Sequence, residues 1–328
     1  MFGKSNRFVS TIAAGVAAVA VALPVRAATW DMPTPYPDAN FHTKNIAQFA
    51  KDVEAGTGGA VKIKVHSAGS LFKHPEIKNA VRSGQVPIGE FLLSLLGNES
   101  AVFAVDSLPF LATDYASAKK LWAASKKATD QTLAKQGLMV LYSVPWPPQG
   151  IYVKKTLSTI ADMKGIKFRT YNASTAQLAK LAGAVPTQVE VPDIPQAFST
   201  GRVDAMITSP STGVNSKAWD FVNNYYDTQA WLPKNIVVVN VKAFRALDKK
   251  TQDAVMKAAA AAEDRGWKAS MQETEDMTKM LSDKGMKVHK PSAELMTGLK
   301  KVGAEMAAEW QKKAGADGAA ILKAYHGK

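Results

Sequence analysis

Among the residues able to do chemistry, Arg169 stands apart. In the stretch KGIKFRTYN, residues 164–172, it closes an alternating run that reads as a strand, just before a helix start at Asn172 or Ser174. A guanidinium presents a fixed fork of donors that fits a carboxylate in a bidentate pair, which a lysine does not reproduce. In parallel α/β folds, ligands settle where the loops converge beyond the carboxyl ends of the strands. The helix start near Asn172–Thr175 would add backbone N–H groups and a dipole that favour an anion. An internal ion pair with Asp204 or Asp193 is the competing use of such an arginine, and local physics leaves both open.

Residues for covalent or metal chemistry are not arranged for it. The chain has no G-x-S-x-G elbow, no H-E-x-x-H pair and no G-x-x-x-x-G-K-[ST] loop. The Gly56-Thr57-Gly58-Gly59 cluster follows a helical run and reads as its stop. The histidines at 42, 66, 74, 289 and 326 are too scattered for a local metal motif. Acid pairs such as Glu263-Asp264 and Glu275-Asp276 point apart on a helix, so they make poor catalytic dyads. No enzymatic activity and no cofactor are expected.

The elements that must hold Arg169 follow from periodicity. The segment after Ala27 reads as a short strand ending at Pro33, then a helix over Phe41–Glu54 with Ile46, Phe49, Ala50 and Val53 on one face. VKIKVH alternates as a strand does, and further helices and strands extend the pattern, with a helix at His74–Ser83 and a strand at Val86–Leu92. In the middle, a helix ending at Gly183, the strand VPTQVEV, the helix DIPQAFST and the strand RVDAMIT form a β/α/β/α/β unit. Such alternation predicts mostly parallel sheets flanked by helices. A proline-free stretch from Asp248 to Asp283, with Gly266 inside it, predicts a helix long enough to brace two domains. A short strand at MKVHK and a helical pair after Pro291 complete the chain.

Lys4 and Arg7 precede an uncharged alanine-rich run ending in Pro24 and Val25-Arg26-Ala27, the pattern of a secretory leader cut after Ala27. Removing Lys4, Arg7 and Arg26 takes the net charge from +13 to +10. The remaining lysines are scattered in pairs without a basic block, which argues against nucleic acid as a partner. The absence of cysteine excludes disulfides and thiolate metal sites. The expected divisions are a leader over 1–27, a first domain over 28–148, a second over 149–235, and a return to the first over 236–328.

ADMKGIKFR, LAGAVPTQVEV and QAFSTGRVDAM, in this order and spacing, resemble the DctP family of solute-binding proteins of tripartite ATP-independent periplasmic (TRAP) transporters. HSAGSL and SLPFL extend the resemblance over the mature chain. It implies a two-domain periplasmic binding protein with a long bridging helix, closing on an organic acid and delivering it to the small and large permease subunits of the membrane. By motif position Arg169 is the carboxylate clamp, Asp204 the structural acid of a turn, Thr208 a polar ligand contact and Val191 an apolar one. Two departures stand out. Pro148 and Gln149 occupy the region where many members carry a second arginine. The stretch Ala205 to Pro210 is longer than usual before its proline, so Ser209 competes with Thr208 for the contact position.

Trp146, Tyr152, Tyr171, Phe91 and Trp30 are the aromatic candidates for the cleft, Trp146 foremost because prolines flank it near the crossover. These residues together predict a receptor for a monocarboxylate with apolar or aromatic character, and a monomer is expected. A short dicarboxylate or sugar acid is the alternative, its second polar end met by Gln149, Asn172, Thr208 or Lys73. A secreted hydrolase or lyase acting on a carboxylic acid is the alternative from another class.

Overall fold

A computed structural model describes residues 1–3 and 27–327 of the chain. The leader expected over 1–27 therefore lies, but for its ends, outside the described residues. The chain runs β1 (Ala28–Pro33), α1 (Phe41–Gly56), β2 (Val61–His66), α2 (His74–Ser83), β3 (Ile88–Leu92), two 3-10 turns, α3 (Tyr115–Ala134) and β4 (Leu138–Pro145). It continues through β5 (Gly150–Val153), β6 (Lys167–Thr170), α4 (Ala173–Leu181), β7 (Val185–Gln188), α5 (Ile194–Ser199), β8 (Ala205–Thr208), α6 (Pro210–Asn215) and β9 (Asn224–Tyr226). It ends with β10 (Lys234–Asn240), α7 (Val241–Arg245), α8 (Lys249–Asp283), β11 (Lys287–His289) and α9 (Ala293–His326).

Two α/β domains result. The first holds the sheet β3-β10-β4 with the parallel pair β1-β2 beside it, and the second holds the sheet β11-β9-β5-β8-β6-β7. In each main sheet one strand runs against the rest, β10 in the first and β5 in the second. Both follow a crossing. The outward chain passes from β4 to β5 through Trp146–Gln149, and the returning chain passes from β9 to β10. One goes and the other comes back, so they pair antiparallel throughout. The Trp146 amide donates to the Pro233 carbonyl at 2.8 Å, and Gln149 exchanges backbone bonds with Trp231 and Ala230 at 3.0 Å. A continuous two-stranded ribbon thus joins the sheets.

Alternation along the strands sorts side chains between cores. Phe168 packs in the large apolar cluster that runs from Trp30 and Phe49 to Tyr226 and Met306. Tyr152, Met206 and Tyr225 fill the opposite face of the second sheet with Phe198 and Leu281. Beneath α2 and α3, Phe91, Ile236 and Val238 pack with Ile77 and Trp122.

The 35 residues of α8 extend over roughly 50 Å at ~1.5 Å per residue. The helix is capped by Asp248, whose carboxylate accepts from the Thr251 amide, and Gly285 (φ +89°) follows its end. It packs on α1 and β4 of the first domain and on α6 and β11 of the second. Gly266 marks a close approach, where a Cβ would sit 2.3 Å from Val144 Cγ2 and 2.8 Å from Asn45 Nδ2. The helix also carries the chain back over the second sheet, so β11 pairs there with β9. The return to the first domain expected for everything after 235 has this exception. The final helical pair is α9, broken at Gly315 (φ +56°). It too touches both domains, through α3 and α4.

Candidate functional site

Between the domains lies a small cavity of about 30 Å³, well short of the ~300–1,000 Å³ usual for ligand sites. The first domain contributes Tyr36, His74 and Leu92, and the crossing ribbon contributes Trp146, Gln149 and Pro233. The second domain contributes Arg169, Tyr171, Glu190, Val191, Thr208, Ser209 and Thr212.

Arg169 is 1% exposed. Its Nε donates to the Val189 carbonyl at 2.8 Å, and its Nη2 has no hydrogen-bond partner among the described residues. The ring of Tyr171 lies 5.1 Å from the guanidinium carbon, a cation–π contact. Burial pulls the guanidinium down to about 10 against the opposing influence of Glu190, Tyr171 and Tyr36, so it stays charged at neutral pH. The internal ion pair left open above is not made, because Asp204 reaches Lys154 on the surface at 3.5 Å and Arg169 contacts neither Asp204 nor Asp193 within ion-pair distance. A buried, charged, partly unpaired fork needs an anion.

A hydrogen-bond chain orients the polar wall. Trp231 Nε1 donates to the Tyr171 hydroxyl at 3.2 Å, which donates to Gln149 Oε1 at 3.1 Å. Gln149 Nε2 then donates to the Pro147 carbonyl at 2.9 Å, which leaves that amide one further N–H to offer. Burial pushes the Tyr171 hydroxyl well up, so it remains a donor. On the apolar side Trp146 meets Tyr36 edge to face at 4.9 Å, and both donate to Asn235 Oδ1, at 2.9 and 3.2 Å.

Across the cleft, the Leu92 amide donates to His74 Nε2 at 3.1 Å, which leaves the ring proton on Nδ1. Nδ1 in turn lies 3.2 Å from Glu190 Oε2 and donates to it. Burial pushes the Glu190 carboxyl up, but the His74 bond and the nearby Arg169 charge outweigh it and hold the group below its ordinary value.

Of the twelve residues expected at the site, Arg169, Gln149, Thr208, Ser209, Trp146, Tyr171 and Val191 line the cavity, and five do not. Phe91 points into the core under α2 and α3, because it alternates with Leu92, which takes the cavity side. Trp30 is in the large core beside β2. Tyr152 lies beneath the site, with its hydroxyl donating to the Ser209 carbonyl at 3.1 Å and its ring against Gly213, where a Cβ would sit 2.6 Å from Tyr152 Cζ. Asn172 caps α4 by accepting from the Thr175 amide at 2.8 Å, and its Nδ2 donates to Ser94 Oγ of the first domain at 2.8 Å. The Thr175 amide expected to serve an anion is therefore already used. Lys73 is exposed at the start of α2, and its neighbour His74 turns inward instead.

Sequence reasoning missed Tyr36, His74, Leu92, Glu190, Thr212 and Pro233. Glu190 had a legible signal. It lies two residues past the end of β7, as Asn172 does past β6, so the rule that ligands settle beyond strand ends covers it as well.

Two α/β domains joined by a paired crossing, with a small anion-seeking cavity between them, define a periplasmic-type binding protein that captures a solute. Residues 34–313 match the family described as bacterial extracellular solute-binding protein, family 7, DctP, and the chain belongs to that family of extracytoplasmic TRAP solute receptors. DctP6, an extracytoplasmic solute receptor of Bordetella pertussis binding pyroglutamic acid, is 48% identical, with a TM-score of 0.90 over 92% of this chain and 100% of that one. A marine metagenome TRAP solute-binding protein specific for pyroglutamate is 42% identical, with a TM-score of 0.91 and the same coverage. The C4-dicarboxylate-binding periplasmic protein DctP of Rhodobacter capsulatus is 24% identical over 287 residues, 86% of each chain.

Proposed function

We propose that this receptor captures a small cyclic monocarboxylate of the pyroglutamate type and presents it to its TRAP permease. The observation that carries the reading is Arg169, buried and charged with Nη2 unpartnered among the described residues. A ligand carboxylate would pair with that fork, and Gln149 offers a further N–H beside it. Tyr36, Trp146, Tyr171, Leu92 and Pro233 would cover an apolar ring. The two relatives described above, each more than 40% identical, bind pyroglutamate.

A second carboxylate would meet Glu190 or an apolar wall, with Gln149 where a second arginine would be needed. C4-dicarboxylates are therefore weaker candidates, as are acyclic sugar acids, whose hydroxyls would face Leu92, Trp146 and Pro233. The ribbon further supports dividing the mature chain near 148/149 and 235/236 into a first domain, a second domain and a return, with β11 as the exception noted above.

The test is thermal unfolding and calorimetry of residues 28–328, refolded to strip any copurified solute, against pyroglutamate, C4-dicarboxylates, sugar acids and aromatic acids. At 100 times its dissociation constant a ligand adds ~2.7 kcal/mol to the folded state. Pyroglutamate is expected to raise Tm by several degrees and the dicarboxylates to leave it unmoved. A shift from dicarboxylates alone would overturn the reading.

A further inference from the structure

Arg169 accounts for an anion, yet the same cavity holds an acid. Glu190 lines it, makes its ion contact with His74 at 3.2 Å and not with Arg169, and is kept ionised by that bond. A carboxylate only accepts hydrogen bonds. His74 is fixed from behind by the Leu92 amide, so its proton is committed to Glu190 Oε2. Among the described residues the other oxygen, Oε1, takes a single long 3.4 Å contact, from the exposed Gln188 side chain, and the Glu190 side chain is itself 27% exposed. A ligand that brings the cavity an anion alone offers Glu190, which lines it, no hydrogen bond to accept.

Building on the carboxylate-capture reading, we infer that Glu190, oriented by His74, is a specificity residue that accepts a hydrogen bond from an N–H on the ring of the bound acid. Arg169 and Glu190 then read the two ends of one short motif, a carboxylate and a neighbouring N–H. Because Glu190 and His74 come from different domains, the acceptor is fully oriented only when the cleft is shut. A site that hydrogen-bonds a ligand N–H discriminates strongly against the analogue lacking it, since its own polar group is left unpaired.

The experiment compares pyroglutamate with 3-oxocyclopentane-1-carboxylate, in which CH2 replaces the ring N–H, by calorimetry on wild type, Glu190→Gln and His74→Gln. Wild type is expected to favour pyroglutamate by about 100-fold or more. Glu190→Gln is expected to weaken pyroglutamate at least tenfold while leaving the carbocycle within a few-fold, so that the preference collapses. A residue that merely latched the domains would weaken both acids alike, and that result overturns the inference. Equal wild-type affinity for the two acids overturns it as well, while leaving carboxylate capture intact. Failure of both acids to bind wild type removes the underlying reading itself. Should Glu190→Gln misfold, the wild-type ratio and His74→Gln decide.

Discussion

Replacing Arg169 with methionine separates binding from stability. Removing one partner of a buried ion pair costs ~3–5 kcal/mol, which at ~1.4 kcal/mol per tenfold weakens ligand affinity by roughly one hundred to several thousand times. Ligand-free Tm should hold or rise, because the same change removes a buried charge whose Nη2 has no partner among the described residues. Calorimetry and thermal melts check the two halves, and a large fall in ligand-free Tm would mean that the arginine is structural. Glu190 sets a pH dependence of opposite character. Its carboxyl is depressed in the folded state, so its contribution is present above the ordinary carboxylate value and is lost as pH falls through the depressed one. Stability curves of wild type and Glu190→Gln should therefore converge as the pH becomes strongly acidic. Local physics left Arg169 open between a ligand and an internal ion pair, and it was the resemblance of ADMKGIKFR to the DctP family that singled it out. Phe91 misled because a one-residue choice on an alternating strand decides between core and cleft, and only the packing of α2 settles that Leu92 faces inward.

At the scale of elements, α8 was readable from composition and length, but the reason for Gly266 was not. In an isolated helix, Gly266→Ala would gain ~1 kcal/mol. Here the added methyl meets Val144 and Asn45, and overpacking of this kind costs ~1–3 kcal/mol. We expect the variant to melt a few degrees lower, and an unchanged or higher Tm would show that β4 yields easily. The start of α4 offers a second test. Asn172→Ala removes both the cap and the Ser94 contact, whereas Ser94→Ala removes only the contact across the cleft. The first should cost ~1 kcal/mol of stability, and the second should alter ligand affinity with little change in ligand-free Tm. The strand directions of β5 and β10 were hidden in the sequence. Periodicity reports which face of a strand is buried, not which way it runs, and both directions follow from a crossing that brings together residues far apart in the chain.

The whole molecule is two main sheets hung on one ribbon, with the β1-β2 pair beside the first and α8 and α9 also touching both sides. Bonds that span the cleft, such as His74 to Glu190 and Asn172 to Ser94, exist only when it is shut. Small-angle scattering should therefore show a smaller radius of gyration with saturating ligand than without, and identical profiles would argue against closure. The ribbon also bears on how the protein is made. The central strand of the first sheet is β10, which is inserted between β3 and β4 only after every strand of the second sheet except β11 has been threaded out. A chain emerging amino end first thus holds its opening 230 or so residues without the strand that would seal their sheet, and non-local pairings of this kind close slowly. For a protein that must pass a membrane before it folds, the late arrival of one strand delays the sealing of the first sheet until more than two thirds of the chain has been delivered.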